Sequence, residues 1–408
     1  MTSVVYVTPN FTANAVRFIE ALASFYDIRI TIISQEPAHL LPLWQQSRIT
    51  ISRQIPDVFN SANLISVLSE LQSQRGKFHR ILGATEQLQV PLAEVREALS
   101  IEGMDAATAH NFRDKSIMKT LFEKSGIPCA KHATAYRVDE ALGFAKKCPY
   151  PFVMKPLAGA GSQTTFRINN EAELRSAFAQ IGDNAKHGMI LEEFMEGDEY
   201  SLDTYSLNGK IVRQTINQYY PNPLQVMMHP WIQWRVMLRK ETTGQEFDDI
   251  RKFGARALNV LGMETGMSHM EWFRKRDGSI AISEVAARPP GAQFMTLISR
   301  ACDTNAIYDW VKLMVYGKLE PVNIAYTSGA AYLRGPGQGR VTHVTGIEEV
   351  RSEFNDIITD IRLPKKGQDK AVIYEGEGFI IVRHRDSVVV ENALEEIVKT
   401  VRVHYDAL

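Results

Sequence analysis

The stretch "MSHMEWFRKRDGSIAISEVAARPP", residues 267–290, reads as two strands joined by a tight turn. Asp277-Gly278 is a strong signal for a two-residue hairpin loop, because both residue types tolerate positive φ. Arg276 should then lie opposite Ser279, and cross-strand partners should carry numbers that sum to 555. That register sets Glu271 directly against Glu284 and His269 against Ala286. With Arg288 just beyond, these side chains share one face of the sheet. Like charges opposed across a ladder are destabilising, so an ionised pair here asks for a cation or a raised pKa. Magnesium, hard and oxygen-seeking, is the natural cation. The competing reading is an exposed hairpin face whose glutamates point into water. The apolar neighbours Ile282 and Val285 favour a buried pair.

Three further segments carry polar groups worth weighing. In "VMKPLAGAGSQTTFRI", residues 153–168, Lys155 ends a buried strand, and Gly159, Gly161 and Ser162 follow before a second strand begins. Backbone N–H groups and a hydroxyl in such a loop can close over phosphates, with Lys155 as a point charge. The order is the reverse of a P-loop, and a plain surface hairpin fits the same residues. In "MILEEFMEGDEYSLD", residues 189–203, a strand stops at Glu192-Glu193-Phe194-Met195, with Glu199 following. A strand end offers free backbone groups to an adenine edge and a nearby carboxylate can hold ribose hydroxyls, although an acidic surface strand looks the same. In "FRDKSIMKTLFEKSGIPCAKH", residues 112–132, Lys115 opens an amphipathic helix with Met118, Leu121 and Phe122 inward. A solvated lysine is the default for that position.

Composition narrows the partners. The 408 residues, 45% hydrophobic, suffice for about two to four domains. A formal charge of -1 from 46 basic and 47 acidic residues, without long single-sign blocks, offers no argument for nucleic acid or a membrane surface. Small molecules are the expected partners. Three cysteines, Cys129, Cys148 and Cys302, form no C-x-x-C pair, which speaks against a disulfide framework or thiolate zinc site and suits a reducing cytoplasm. "MTSVVYVTPN" lacks a basic segment and apolar signal core, and no apolar run long enough to span a membrane follows.

The periodicities imply a mixed α/β and α+β multidomain chain. "SVVYVTPN", "NAVRFIEALASFYD" and "IRITIIS" read as strand, helix and strand, with Val16, Ile19, Leu22, Phe25 and Tyr26 on one helical stripe. With "ANLISVLSELQS" and "HRILGAT" they suggest a small doubly wound layer, and the absence of G-x-G-x-x-G argues against a dinucleotide site there. A helix over residues 139–147, the strand "PFVMKP" and the helix "EAELRSAFAQI" follow, then two strands and a Pro and Trp-rich excursion from Tyr219 to Trp234 that could fold over a substrate. The strands "AAYLRGPG" and "GFIIVRH", each followed by a helix, suggest a terminal α+β lobe. The expected divisions are 1–110, 111–188, 189–330 and 331–408.

Taken in order, "RDKSIMKTLFEKSGIP", "VMKPLAGAGS", "LEEFMEGDE" and "MEWFRKRDGSIAISEVAARP" resemble the signature segments of the ATP-grasp superfamily, over roughly residues 1–330. Biotin carboxylase and D-alanine:D-alanine ligase are similar in these segments. The resemblance implies a Rossmann-like pre-ATP-grasp layer, a lid with the glycine-rich loop, a central subdomain with the magnesium site and a C-terminal lobe. It makes Lys115 and Lys155 the phosphate-binding lysines and Gly159, Gly161 and Ser162 the lid. Glu192, Glu193, Phe194 and Met195 become the adenine hinge, Glu199 the ribose carboxylate, Glu271 and Glu284 the magnesium ligands, and Arg288 the arginine that steadies reacting phosphoryl and acyl groups. The usual E-x-N-x-R motif here reads Glu284-Val285-Ala286-Ala287-Arg288. The missing asparagine turns the resemblance towards L-amino-acid ligases, in which Glu-x-x-x-Arg is an accepted form.

The implied chemistry is ATP-dependent amide formation between a carboxylate and an amine through an acyl phosphate, releasing ADP and phosphate, with magnesium or manganese. A carboxylase, a purine-pathway type of ligase and a non-catalytic nucleotide-binding module are the alternatives. His269, Arg288, Arg334, Glu86 and Gln293 are the candidates for substrate contacts. Superfamily habit points to a homodimer.

Overall fold

The structure, a computed structural model, describes residues 1–157, 165–229, 231–242 and 244–406. Near the N-terminus, β-branched runs buried on both faces make a parallel sheet in the order Ile49–Gln54, Ile28–Ser34, Thr2–Thr8, Arg80–Leu82. Helix Ala13–Ala23 covers one face, setting Phe18, Ile19 and Leu22 against Tyr6, Ile30 and Ile32. Helix Ser61–Arg75 covers the other, with Leu64, Leu68 and Leu71 against Val5, Val7 and Ile33. The doubly wound layer is as expected. Tyr26 departs from the expected stripe: the helix ends at Ala23, so Tyr26 no longer follows helical spacing and lies exposed under the Arg48 guanidinium. The strand order reverses between Thr2–Thr8 and Arg80–Leu82, and the carboxyl ends beside such a reversal form a crevice suited to ligands.

A second, antiparallel sheet runs His132–Ala135, Met189–Glu193, Phe152–Pro156, Phe166–Ile168. Helices Val138–Ala145 and Glu171–Ile181 bury Ala141, Phe144, Leu174 and Phe178 against it. Strand Met189–Glu193 lies past the border expected at residue 188, yet it is central here, because Phe152–Pro156 and His132–Ala135 both pair with it.

The largest sheet has eight antiparallel strands, in the order Ile280–Ala286, Gly266–Lys275, Gly197–Leu207, Lys210–Tyr220, Arg235–Leu238, Thr327–Leu333, Gly378–His384, Ile358–Arg362. Two strands expected in a terminal lobe thus extend the central sheet, while Val341–Thr345 and Arg402–Tyr405 pair separately. The parallel layer docks through helix Ala306–Tyr316, where Phe18 meets Trp310 edge-on at 5.1 Å. No helix among the described residues is long and apolar enough to cross a membrane.

The deciding hairpin reaches the expected register by an unexpected route. His269 pairs with Ala286, Met270 with Val285 and Glu271 with Glu284. The turn, however, has three residues: Lys275 N–H donates to Ser279 O at 2.8 Å, and Gly278 N–H to Lys275 O at 3.0 Å, with Gly278 at φ +82°. Arg276 therefore does not face Ser279. A β-bulge restores the register, since Trp272 pairs with Ile282 and Ser283 is left over. The bulge also changes which way the side chains face. Ile282 joins Trp272 in the core, and Ser283 and Glu284 turn to the opposite face.

The segment between Ile358–Arg362 and Gly378–His384 folds back on the central sheet at Gly376, whose φ is +63° and where a Cβ would lie 2.4 Å from Leu333 O. Gly376→Ala is expected to cost about 1–3 kcal/mol and lower the Tm. Gly143→Ala, in a helix with open space around it, should be neutral or stabilising by up to about 1 kcal/mol. Equal thermal melts for the two variants would contradict this account.

Candidate functional site

A cavity of about 350 Å³ lies where the three sheets meet. Its lining includes Lys115, Lys155, Glu192, Glu193, Phe194, Met195, Glu199, His269, Glu271, Glu284, Ala286, Arg288 and Glu86. Gly159, Gly161 and Ser162 lie outside the described residues.

The lysines come from two elements. Lys155 ends strand Phe152–Pro156, and Lys115 is the first residue of helix Lys115–Lys124, whose start is set by the Asp114 carboxylate accepting from the Ser116 and Ile117 N–H groups. Lys115 is buried rather than solvated, its Nζ 2.9 Å from Glu284 Oε1. One turn later Lys119 is fully buried, donating to Ile282 O at 3.1 Å and pairing with Glu192 Oε1 at 2.9 Å. Lys155 Nζ takes the other oxygen of Glu192 at 2.5 Å. Burial alone would raise the Glu192 pKa, but Lys119 and Lys155 outweigh it and hold the carboxyl at about 2. Lys155 is likewise pushed up: burial opposes its charge, and Glu192 and Glu284 overcome it. The Glu192 side chain is thus committed to lysines, which leaves the backbone of residues 192–195, expected to be a hinge, as the part that faces the cavity free of those pairs.

Glu271 and Glu284 face the same cavity from paired strands, with side-chain exposures of 33% and 23%. Lys115 and Lys155 lower the Glu284 pKa against the opposing effect of burial. On the other side His269 Nε2 lies 3.7 Å from Glu271 Oε1, and Nδ1 lies 2.5 Å from Asp203 Oδ1. Asp203 is fixed in turn by Asn217 Nδ2 at 2.6 Å and Ser201 Oγ at 3.3 Å. Burial disfavours the imidazolium, yet Asp203 and Glu271 raise the His269 pKa to about 9. Burial and Glu271 push Glu199 well above the usual carboxylate range. Among the described residues no group of three or more potential ligands gathers, so this pair could hold a hard divalent cation only with waters or phosphates completing its shell.

At the far end Arg288 Nε donates to Glu86 Oε2 at 2.6 Å, and Arg113 Nη1 lies 3.6 Å from Glu86 Oε1. Burial opposes the Arg288 charge, but Glu86 raises its pKa. Glu86, from the crevice of the parallel sheet, therefore positions Arg288, and its carboxylate is shared between two arginines. Tyr219, Trp234 and Phe294 form apolar walls, and the excursion after Tyr219 adds Asn222, Pro223 and Leu224. Arg334 is absent from the lining. It is buried behind the wall and donates to Val226 O at 3.3 Å, supporting helix Pro223–Met228. Gln293 is absent as well, its Oε1 accepting from Thr296 Oγ1 at 3.0 Å and Arg17 Nη1 at 3.4 Å.

The family model described as the ATP-grasp domain matches residues 148–296. The chain has the ATP-grasp fold. Among solved structures, an L-amino acid ligase from Bacillus licheniformis superposes with a TM-score of 0.80 at 18% identity, covering 100% of this chain and 99% of that one. N5-carboxyaminoimidazole ribonucleotide synthetase from Thermotoga maritima gives 0.70 at 16% identity, covering 100% of both chains. In sequence, the L-arginine-specific L-amino acid ligase of Bacillus subtilis is 25% identical over 268 residues, 64% of this chain and 63% of that protein. Phosphoribosylamine--glycine ligase of Lactococcus lactis is 30% identical over 129 residues, 31% of each. The matches thus span less than two thirds of these curated relatives.

Within the matched segment the structure brings together Lys155, Glu192 to Met195, Glu199, His269, Glu271, Glu284 and Arg288; Lys115 and Glu86 reach them from outside it. Lys119, Asp203 and Tyr374 were not anticipated. Lys119 could have been suspected from its place one turn after Lys115 on a helix otherwise apolar on that side. Asp203 faces His269 across the strand pairing, which a register for Gly197–Leu207 would have revealed. Tyr374 belongs to a distant segment with no local signal.

The depressed Glu192 pKa makes a directional prediction. Its contribution to stability is complete above the ordinary value of 4.5 and is lost as pH falls toward about 2. Urea unfolding between those pH values should show a shallower pH dependence for Glu192→Gln than for the parent; parallel slopes would contradict the paired-lysine assignment.

Proposed function

We propose that this chain is an ATP-dependent, ADP-forming ligase that joins a carboxylate, an amino acid, to an amine. The observation that carries the reading is the gathering of these groups in one cavity: the strand end at residues 192–195, Lys155 and Lys115, the Glu271/Glu284 pair, and Arg288 with aromatic walls. ATP fits with adenine at residues 192–195, ribose at Glu199 and phosphates towards the lysines. Glu271 and Glu284 would hold magnesium, which supplies charge neutralisation at the phosphates. The likeness to L-amino acid ligases of two Bacillus species supports an amino acid as the acid substrate.

In this reading the substrate carboxylate oxygen attacks the γ-phosphorus, the bond to the bridging oxygen of ADP breaks, and an acyl phosphate forms. The amine then attacks the acyl carbon, phosphate leaves, and the amine gives up a proton. Lys115 and Lys155 stabilise phosphoryl charge, and Arg288, oriented by Glu86, faces the acyl end. His269, locked by Asp203, keeps a positive charge beside Glu271 and one edge available to substrate. No covalent nucleophile is required.

A screen of amino-acid pairs with ATP, measuring phosphate release and the mass of the coupled product, tests the reading; bicarbonate as the acid would reveal a carboxylase instead. With the best pair, Glu284→Gln and Arg288→Ala should each lower ADP formation by at least about a hundredfold. Nucleotide binding to Arg288→Ala should stay within a few-fold, and normal turnover in either variant would refute the site.

A further inference from the structure

A second cavity, of about 170 Å³, lies behind the first and shares Arg288 and Pro289 with it. It opens between strand Arg80–Leu82 of the parallel layer and helix Ala306–Tyr316. Its walls are mixed: Met104, Met263, Met267, Met314 and the Trp310 indole supply apolar surface, and Gln89, Asn208 and Thr265 stand among the polar groups. Three guanidinium groups, Arg80, Arg96 and Arg288, border this space against a single carboxylate, Glu102. Arg80 is paired with Glu102 at 2.7 Å, and Arg288 with Glu86 at 2.6 Å.

Arg96 differs from both. It is 7% exposed, and its Nη1 and Nη2 donate to the carbonyls of Met104 at 3.2 Å and Ile81 at 2.9 Å. Among the described residues no carboxylate pairs with it, and burial pulls its pKa down to about 10, a value that still leaves it charged at neutral pH. A buried guanidinium held only by carbonyl dipoles lacks the counter-charge that usually offsets desolvation. An anion in the adjoining space would supply it, and polarisable methionines adapt to varied chain shapes.

We infer that this second cavity binds a small apolar carboxylate, with its charged end beside Arg96 and its chain among the four methionines. At the packing density of a protein interior the space suits a branched chain of about six carbons.

The four wall methionines, out of 14 in the chain, provide a local readout. In the full chain labelled with [13C-methyl]methionine, 4-methylpentanoate should move the resonances of Met104, Met263, Met267 and Met314 saturably, and the neutral 4-methylpentanamide should bind at least about tenfold more weakly. Met104→Trp, which fills the cavity from its partly exposed edge, should abolish the shifts of the remaining three. Arg96→Gln should weaken the carboxylate by about tenfold and leave the amide unchanged. If that variant does not fold, the carboxylate and amide titrations of the parent and of Met104→Trp still decide. Unmoved wall methionines at roughly 10 mM carboxylate, equal affinity for the amide, or shifts confined to Met195 in the main cavity would each overturn the inference. The titration reads binding without turnover, so its failure leaves the ligase reading standing.

Discussion

Two carboxylates, Glu271 and Glu284, are held opposite each other by backbone pairing. Strand register allows them no escape. At a separation of about 5 Å and an effective dielectric near 20 their repulsion is about 3 kcal/mol, a sizeable share of a domain's stability. The fold answers with cations from separate elements: Lys115 at a helix start, Lys155 at the end of a strand in the second sheet, and His269 on the same strand as Glu271. Charge balance at this one point therefore requires several parts of the chain to be in place together.

The same logic extends outward. Glu192 lies between Lys119 and Lys155, which ties the second sheet to helix Lys115–Lys124, and Lys119 also takes the Ile282 carbonyl beside the β-bulge. Glu86 ties the parallel layer to the hairpin through Arg288. Buried pairs of this kind add little net stability over well-packed apolar residues, but breaking one partner is costly, so they specify geometry. The outcome is a cavity whose buried charges are held in pairs and whose wall is rigidified by packed aromatics such as Trp234 and Tyr374, 4.8 Å apart.

Much of the site was legible in linear order. Hydrophobic period and turn residues placed Lys155 at a strand end, Glu192 to Met195 at another, and Glu271 against Glu284. The hairpin shows the limit of such reasoning. The loop has three residues, and the correct pairing at the glutamates survives because Ser283 bulges and compensates. A bulge is a response to twist and packing against neighbouring elements, here the Trp272 core, and leaves no mark in local propensity. Arg334 and Gln293 went astray for a related reason. Each sits near a functional turn, but its hydrogen-bond partner comes from elsewhere: Val226 for Arg334 and Arg17 for Gln293.

Element types, the apolar faces and the residues able to carry phosphate or metal chemistry follow from the order of amino acids, because period, capping and turn preference act over a few neighbouring residues. Which charges neutralise which does not. The pairs Lys119 with Glu192, Asp203 with His269 and Glu86 with Arg288 join residues far apart in the chain, and Tyr374 enters the cavity from beyond the matched domain. Electrostatic and packing energies depend on distance in space rather than along the chain, so these partners, and the second cavity behind Arg288, came into view only with the folded molecule.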